Sequence, residues 1–193
     1  SYTPYQPESN QGTLQALFEY QTLMCLLTGM DVSNSSHYDG ATSLAEAVLI
    51  AARRKPGALV VSKYLNPEYR HVLDTYLGEE HPLTAVSPQN GLMHTESFPE
   101  NVSAIIVQTP NFVGLIEDIA RLSAIAREKD ALLIVSTNPV SLGLLEAPGL
   151  QGADIVVGDG QPLGNPLSFG GPYFGFMCCK KEHMRKLPGR IVG

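Results

Sequence analysis

The chain has 193 residues, 44% hydrophobic and 17% charged, with a formal net charge of −6. This composition supports one globular domain, or a large piece of one, with enough apolar material for a core. The acidic balance and the lack of a Lys/Arg run argue against nucleic acid as a partner, and no apolar stretch approaches the roughly 18 residues of a membrane span.

The first twelve residues carry Pro4 and Pro7. Proline pushes the residue before it towards extended backbone. The spacing therefore predicts a stiff, extended strip bearing Tyr2, Tyr5, Gln6 and Glu8, with a helix starting only after Gly12. On composition alone such a strip reads as a terminal linker. Leu14, Leu17, Phe18, Gln21, Met24, Cys25 and Thr28 then follow helical spacing, and Gly29 is a natural stop. A second helix is predicted over 41–54, with Asp39 as its cap and Ser43 and Glu46 at capping-box spacing. Strands are predicted over 58–62, 83–86, 103–107, 131–136, 154–157 and 173–179. Helices are predicted over 67–77 and 115–128, the latter with Ile116, Ile119, Ala120 and Ser123 on one stripe.

Short apolar strands alternating with helices predict an α/β fold, a mostly parallel sheet flanked by helices on both faces. Neighbouring strand residues point to opposite faces, so Cys178 and Cys179 are expected as buried structural thiols, one in each layer. The chain's three cysteines show no framework spacing, and no secretory signal is visible. Together these predict a reducing, cytoplasmic setting and no metal site. The loop-like run 187–193 predicts that 1–193 is a single truncated domain, with 1–12 as an extended segment and 13–193 as the α/β core.

Ligands of open α/β sheets bind at the carboxyl ends of the strands. Three segments are expected to meet there. Ser36-His37-Tyr38-Asp39-Gly40-Ala41-Thr42 runs into a helix N-terminus, where free N–H groups favour phosphate or carboxylate. The competing reading is ordinary capping by Asp39, whose carboxylate would repel a phosphate. Thr137-Asn138-Pro139 follows one strand, and Gly158-Asp159-Gly160-Gln161-Pro162-Leu163 follows the next. No strand–G-x-G-x-x-G–helix unit is present, so a dinucleotide is not expected. Among the histidines, His37 lies near this end, whereas His71, His81, His94 and His183 read as structural or solvated.

Several stretches carry a resemblance: 2–12, Tyr20-Gln21-Thr22, Tyr38-Asp39-Gly40-Ala41-Thr42, Val107-Gln108-Thr109-Pro110-Asn111-Phe112-Val113-Gly114, and 158–190. Together they resemble the glycine decarboxylase family, the P-protein of the glycine cleavage system, and more narrowly its N-terminal half, which in many bacteria is a separate subunit. The resemblance implies the large domain of fold type I pyridoxal-phosphate-dependent transferases (aspartate-aminotransferase-like). In that fold a helix N-terminus holds the cofactor phosphate, an Asp at one strand end faces the pyridine nitrogen, and a Lys after the next strand forms the Schiff base. By resemblance Tyr38, Asp39, Gly40 and Thr42 are a degenerate phosphate site. Asn138 falls at or beside the pyridine-facing Asp. Pro166 and Gly170-Gly171-Pro172 align Gln161 with the missing lysine. No lysine occurs between Lys129 and Lys180, and an amide forms no imine.

The resemblance therefore implies the half without the Schiff-base lysine. Pyridoxal phosphate would be bound covalently by a lysine-bearing partner subunit. The reaction would decarboxylate glycine and pass the aminomethyl group to the lipoyl arm of H-protein, and the isolated piece would be inactive. Tyr2, Tyr5, Gln6 and Glu8 would line the mouth of an interfacial site, with Tyr2, Tyr5 or Glu8 touching substrate. The interface is expected to draw on Leu14, Phe18 and Met24 of the first helix and on Pro162, Leu163 and Phe169. Two other readings compete: another fold type I enzyme, which would require a lysine after strand 154–157, and a non-catalytic scaffold.

Overall fold

The continuously apolar runs become the middle of a seven-stranded sheet in a computed structural model that describes residues 3–193. In chain order the elements are α1 (Gln11–Thr28), β1 (Val32–Ser33), α2 (Gly40–Arg54), β2 (Ala58–Ser62), α3 (Pro67–Leu77), β3 (Leu83–Val86), β4 (Pro88–Gln89), β5 (Leu92–Met93), β6 (Val102–Gln108), α4 (Ile119–Glu128), β7 (Leu132–Ser136), β8 (Ile155–Asp159) and β9 (Gly175–Cys179). The sheet order is β1-β9-β8-β7-β6-β2-β3, and β4 and β5 form a separate hairpin. Strands β3, β2, β6, β7 and β8 are parallel, while β9 runs antiparallel to β8 and β1 antiparallel to β9. The mostly parallel sheet with helices on both faces is as expected; the antiparallel edge and the hairpin were not predicted.

Strand alternation splits the core into two layers. Ile106, Ile134, Ile155 and Met177 pack with Leu44 and Val48 of α2 and Leu73 of α3. Ile105, Leu133, Val156 and Phe176 pack with Met24 of α1 and Leu122 of α4. Cys178 and Cys179 are both buried and fall in opposite layers. Among the described residues no helix is long and apolar enough to cross a membrane.

Several boundaries differ from the sequence reading for local reasons. The strip is not extended throughout: Pro7–Ser9 is a 3-10 turn, and α1 starts at Gln11, with Gly12 inside it. The fixed φ of Pro7 suits the first position of a helical turn as well as an extended chain. Helix α4 starts at Ile119, because the Asp118 carboxylate accepts the Arg121 N–H at 2.9 Å. Strand β8 takes in Gly158 and Asp159, and β9 begins only at Gly175. The α2 capping box is Asp39 with Thr42, not Ser43 with Glu46; the Ser43 hydroxyl instead donates to the Asp39 carbonyl at 2.7 Å.

Helix α1 is apolar on most sides yet buries only Gln21, Met24 and Thr28. Phe18, Leu23 and Leu26 are 53%, 63% and 74% exposed. The Gln21 amide holds the last residues of the chain, donating to the Val192 carbonyl at 2.6 Å and accepting the Val192 N–H at 2.9 Å.

Candidate functional site

The parallel strands β2, β6, β7 and β8 end on one side of the sheet, and α2 begins beside the end of β8. Gly40 permits this approach: a Cβ there would meet the Asp159 backbone nitrogen at 2.7 Å and the Tyr69 phenol oxygen closer still. Tyr69 comes from the first turns of α3, which packs on α2. The Asp39 carboxylate accepts the Thr42 N–H at 2.7 Å and the Thr42 hydroxyl at 2.9 Å. Burial pushes the Tyr69 phenol well above its ordinary range, and the charges of Asp159 and Asp39 push it further in the same direction. It is therefore a neutral hydroxyl at any physiological pH.

Two cavities open here. The larger, about 470 Å³, is lined by Asp39, Glu68, Tyr69, Asp159, Gln161 and Phe169 among others. The smaller, about 140 Å³, lies across the strand ends against Asn66, Tyr69, Gln108, Thr137, Asn138 and Asp159. Among the described residues, three carboxylates and no cationic side chain line the larger one. This arrangement does not fit a phosphate. The N–H that would greet it is taken by Asp39, the space beside Gly40 is taken by Tyr69, and the surrounding charge is negative.

The two amides are also committed. Asn138 Oδ1 accepts the Val140 N–H at 3.0 Å, capping the 3-10 turn Pro139–Gly143. Gln161 follows β8; its N–H donates to Asp159 Oδ1 at 2.9 Å and its Nε2 to the Pro166 carbonyl at 3.3 Å. The structure thus brings Asp39, Gly40, Asn138 and Gln161 to one end of the sheet, as the sequence predicts. Tyr38 is nearby in sequence but 83% exposed and lines neither cavity. Nor do Tyr5, Gln6 and Glu8, which are exposed on the arm before α1; Tyr2 lies outside the described residues. His37 is fixed by its backbone to Gly175, and its Nε2 lies 2.7 Å from the Asn34 amide nitrogen, so that ring nitrogen accepts. Burial lowers its pKa, with Asp39 opposing. His183 is buried rather than solvated.

Tyr69, Glu68 and Asn66 were missed by the sequence reading. The available signal was their place at the start of α3, directly after β2, where the strand-end rule points. The Gln108-Thr109-Pro110-Asn111 motif anchors a hydrogen-bonded loop. Buried Glu117 accepts the Met93 N–H at 2.9 Å and the Asn111 amide at 3.0 Å, while Phe112, Val113 and Ile116 stay exposed. Of the residues expected at an interface, Phe18, Leu163 and Phe169 are exposed, but Met24 is buried in the chain's own core.

The family described as glycine cleavage system P-protein matches residues 1–193. The chain belongs to that family. It is 52% identical to the probable glycine dehydrogenase (decarboxylating) subunit 1 of Desulfitobacterium hafniense, over 100% of this chain and 45% of that protein. Against the same subunit of Brevibacillus brevis it is 54% identical, over 100% of this chain and 44% of that protein. This P-protein family member therefore spans less than half the length of these relatives. A crystal structure of glycine decarboxylase (P-protein) of the glycine cleavage system, in inhibitor-bound form, superimposes with a TM-score of 0.94 at 48% identity, over 99% of this chain and 44% of that one. An aspartate aminotransferase from Thermus thermophilus matches with a TM-score of 0.64 at 13% identity, covering 93% of this chain and 52% of that one. That likeness carries the fold alone, that of fold type I pyridoxal-phosphate enzymes.

Proposed function

We propose that this chain is part of a P-protein subunit 1 and forms one wall of an interfacial active site, facing a lysine-bearing partner subunit. The assembled enzyme decarboxylates glycine and passes the aminomethyl group to the lipoyl arm of H-protein, in the cytoplasm. The observation that carries this reading is the acidic lining of the cup at the carboxyl end of the sheet, lysine-free among the described residues. Asp39 accepts the Thr42 N–H at the start of α2, the Tyr69 phenol lies beside Gly40, and Gln161 stands after β8. A chain of this fold with that cup supports its own covalent cofactor poorly, and the partner supplies it. Tyr2, Tyr5, Gln6 and Glu8 are assigned to the mouth of the shared site, where hydroxyl and carboxyl groups orient a substrate carboxylate or move a proton.

The test is co-expression of the full-length subunit with its lysine-bearing partner, scored by glycine–bicarbonate exchange. Exchange should require both chains. Tyr5→Phe should lower turnover about tenfold or more with assembly intact, the scale of a lost hydrogen bond to a charged group, roughly 1.5–3 kcal/mol. Incubation of this chain alone with pyridoxal phosphate, followed by borohydride, should leave no adduct in the 155–165 loop; an adduct there overturns the reading. The scaffold reading has one observation in its favour: Tyr5 is 83% exposed and lines neither cavity. Wild-type turnover in Tyr5→Phe would put that reading ahead.

A further inference from the structure

At the amino end of β8, opposite the cup, three potential metal ligands converge: Asp154, Glu182 and His183, with ligand atoms all within 4.8 Å of one another. His183 is 5% exposed, and neither of its ring nitrogens has a hydrogen-bond partner among the described residues. A buried imidazole with both nitrogens unpaired is costly and calls for an occupant. Its Nε2 lies 3.5 Å from Glu182 Oε1, beyond a good hydrogen bond but on the scale of the spacing between ligands that share an ion. Asp154 is held firmly: Oδ2 accepts the Leu133 N–H at 2.8 Å, and the Asp154 backbone pairs with Leu133 and Lys180. The Asp154 Oδ1 already carries a cation, the Lys180 ammonium at 2.5 Å, whose side chain is one-third exposed and can swing into solvent.

We propose that Asp154, Glu182 and His183 form a divalent-cation site for a borderline metal such as zinc, which would displace the Lys180 ammonium and tie the 3-10 segment Lys181–Lys186 to the amino ends of β7 and β8. One imidazole with two carboxylates suits zinc, with solvent in the fourth position. Buried His183 has both ring nitrogens unpaired among the described residues, and exposed Glu182 has the freedom to close the remaining gap. The site lies at the far end of β8 from the cup, so it acts independently of the residues gathered there.

Calorimetry of this chain with zinc chloride should give a one-to-one isotherm in the micromolar range, and magnesium should give none. Glu182→Gln, an exposed change with little risk to folding, should weaken zinc about tenfold. His183→Leu should abolish binding, and Lys180→Met should tighten it by removing the competitor. Cobalt(II) should bind without a thiolate charge-transfer band, because no cysteine is among the ligands. The proposal is overturned by an absence of zinc binding, by unchanged affinity in Glu182→Gln or His183→Leu, or by a thiolate band, which would place the metal on Cys25, Cys178 or Cys179.

Discussion

Helices α1 and α2 lie on opposite faces of the same sheet and use their apolar residues in opposite ways. Helix α2 has 15 residues and buries nine of them, Leu44, Val48 and Ala51 completely. Helix α1 is longer, at 18 residues, and buries three, leaving Phe18, Leu23 and Leu26 in solvent. A helix apolar on all sides is normally enclosed. The contrast teaches that α2 completes this domain's core, while most of α1's apolar surface is left in solvent by this chain. Leu144 and Leu150, in the segment after the 3-10 turn Pro139–Gly143 that packs against α1, are also exposed.

The largest effect should separate the two helices directly. Leu44→Ala empties a fully buried position and should cost about 2–5 kcal/mol in denaturant unfolding, whereas Leu26→Ala should stay within about 0.5 kcal/mol. Equal losses would erase the contrast. In the full-length pair the order should reverse: Leu26→Lys should weaken subunit association tenfold or more by analytical ultracentrifugation, with the isolated chain's melting temperature unchanged. An assembly indifferent to that charge would show that α1 faces water.

A smaller effect probes how α2 begins. Asp39→Ala removes the carboxylate from the Thr42 N–H and should destabilise the chain by about 1 kcal/mol, while Asp39→Ser should retain most of the cap. A loss confined to α2's first turn, read by hydrogen exchange, would confirm that Asp39 acts as a cap. The smallest effect is a pH dependence. Burial lowers the pKa of both His37 and His183 below the ordinary value of 6.5. The unfolded chain therefore binds these protons first on acidification. Their contribution to stability is present above the unfolded value and is lost as pH falls through the lowered folded values. Melting temperature should fall from pH 7.5 towards pH 5, and His183→Leu should flatten the slope. A flat profile in the parent would mean that neither ring is held neutral.

How much was legible varies with how local the cause is. Strands β2, β6 and β7 were readable because parallel strands buried on both faces give unbroken apolar runs. The Asp39 cap was readable because its partner lies three residues away. The β4–β5 hairpin carried a signal that went unused: Asn90-Gly91, both at positive φ, is a two-residue turn sequence. Tyr69 could be placed at the strand-end side from its position just after β2, but its contact with Gly40 depends on α3 crossing α2, which no spacing encodes. The terminal strip was misjudged because Pro7 serves an extended chain and a helical turn equally well. Nor could composition tell α1 from an enclosed helix, because the two differ only in what covers them.

The Gln21 amide grips Val192 through both its oxygen and its nitrogen, as one strand residue grips another. This clip joins the middle of α1 to the far end of the chain, two places 171 residues apart. With so little of α1 seated in the core, the helix and the tail should open together as one unit, well below the free energy that unfolds β6 and β7. In the isolated chain the Val192 amide should then share its exchange rate with the central turns of α1, and covering Leu23 and Leu26 should slow both at once.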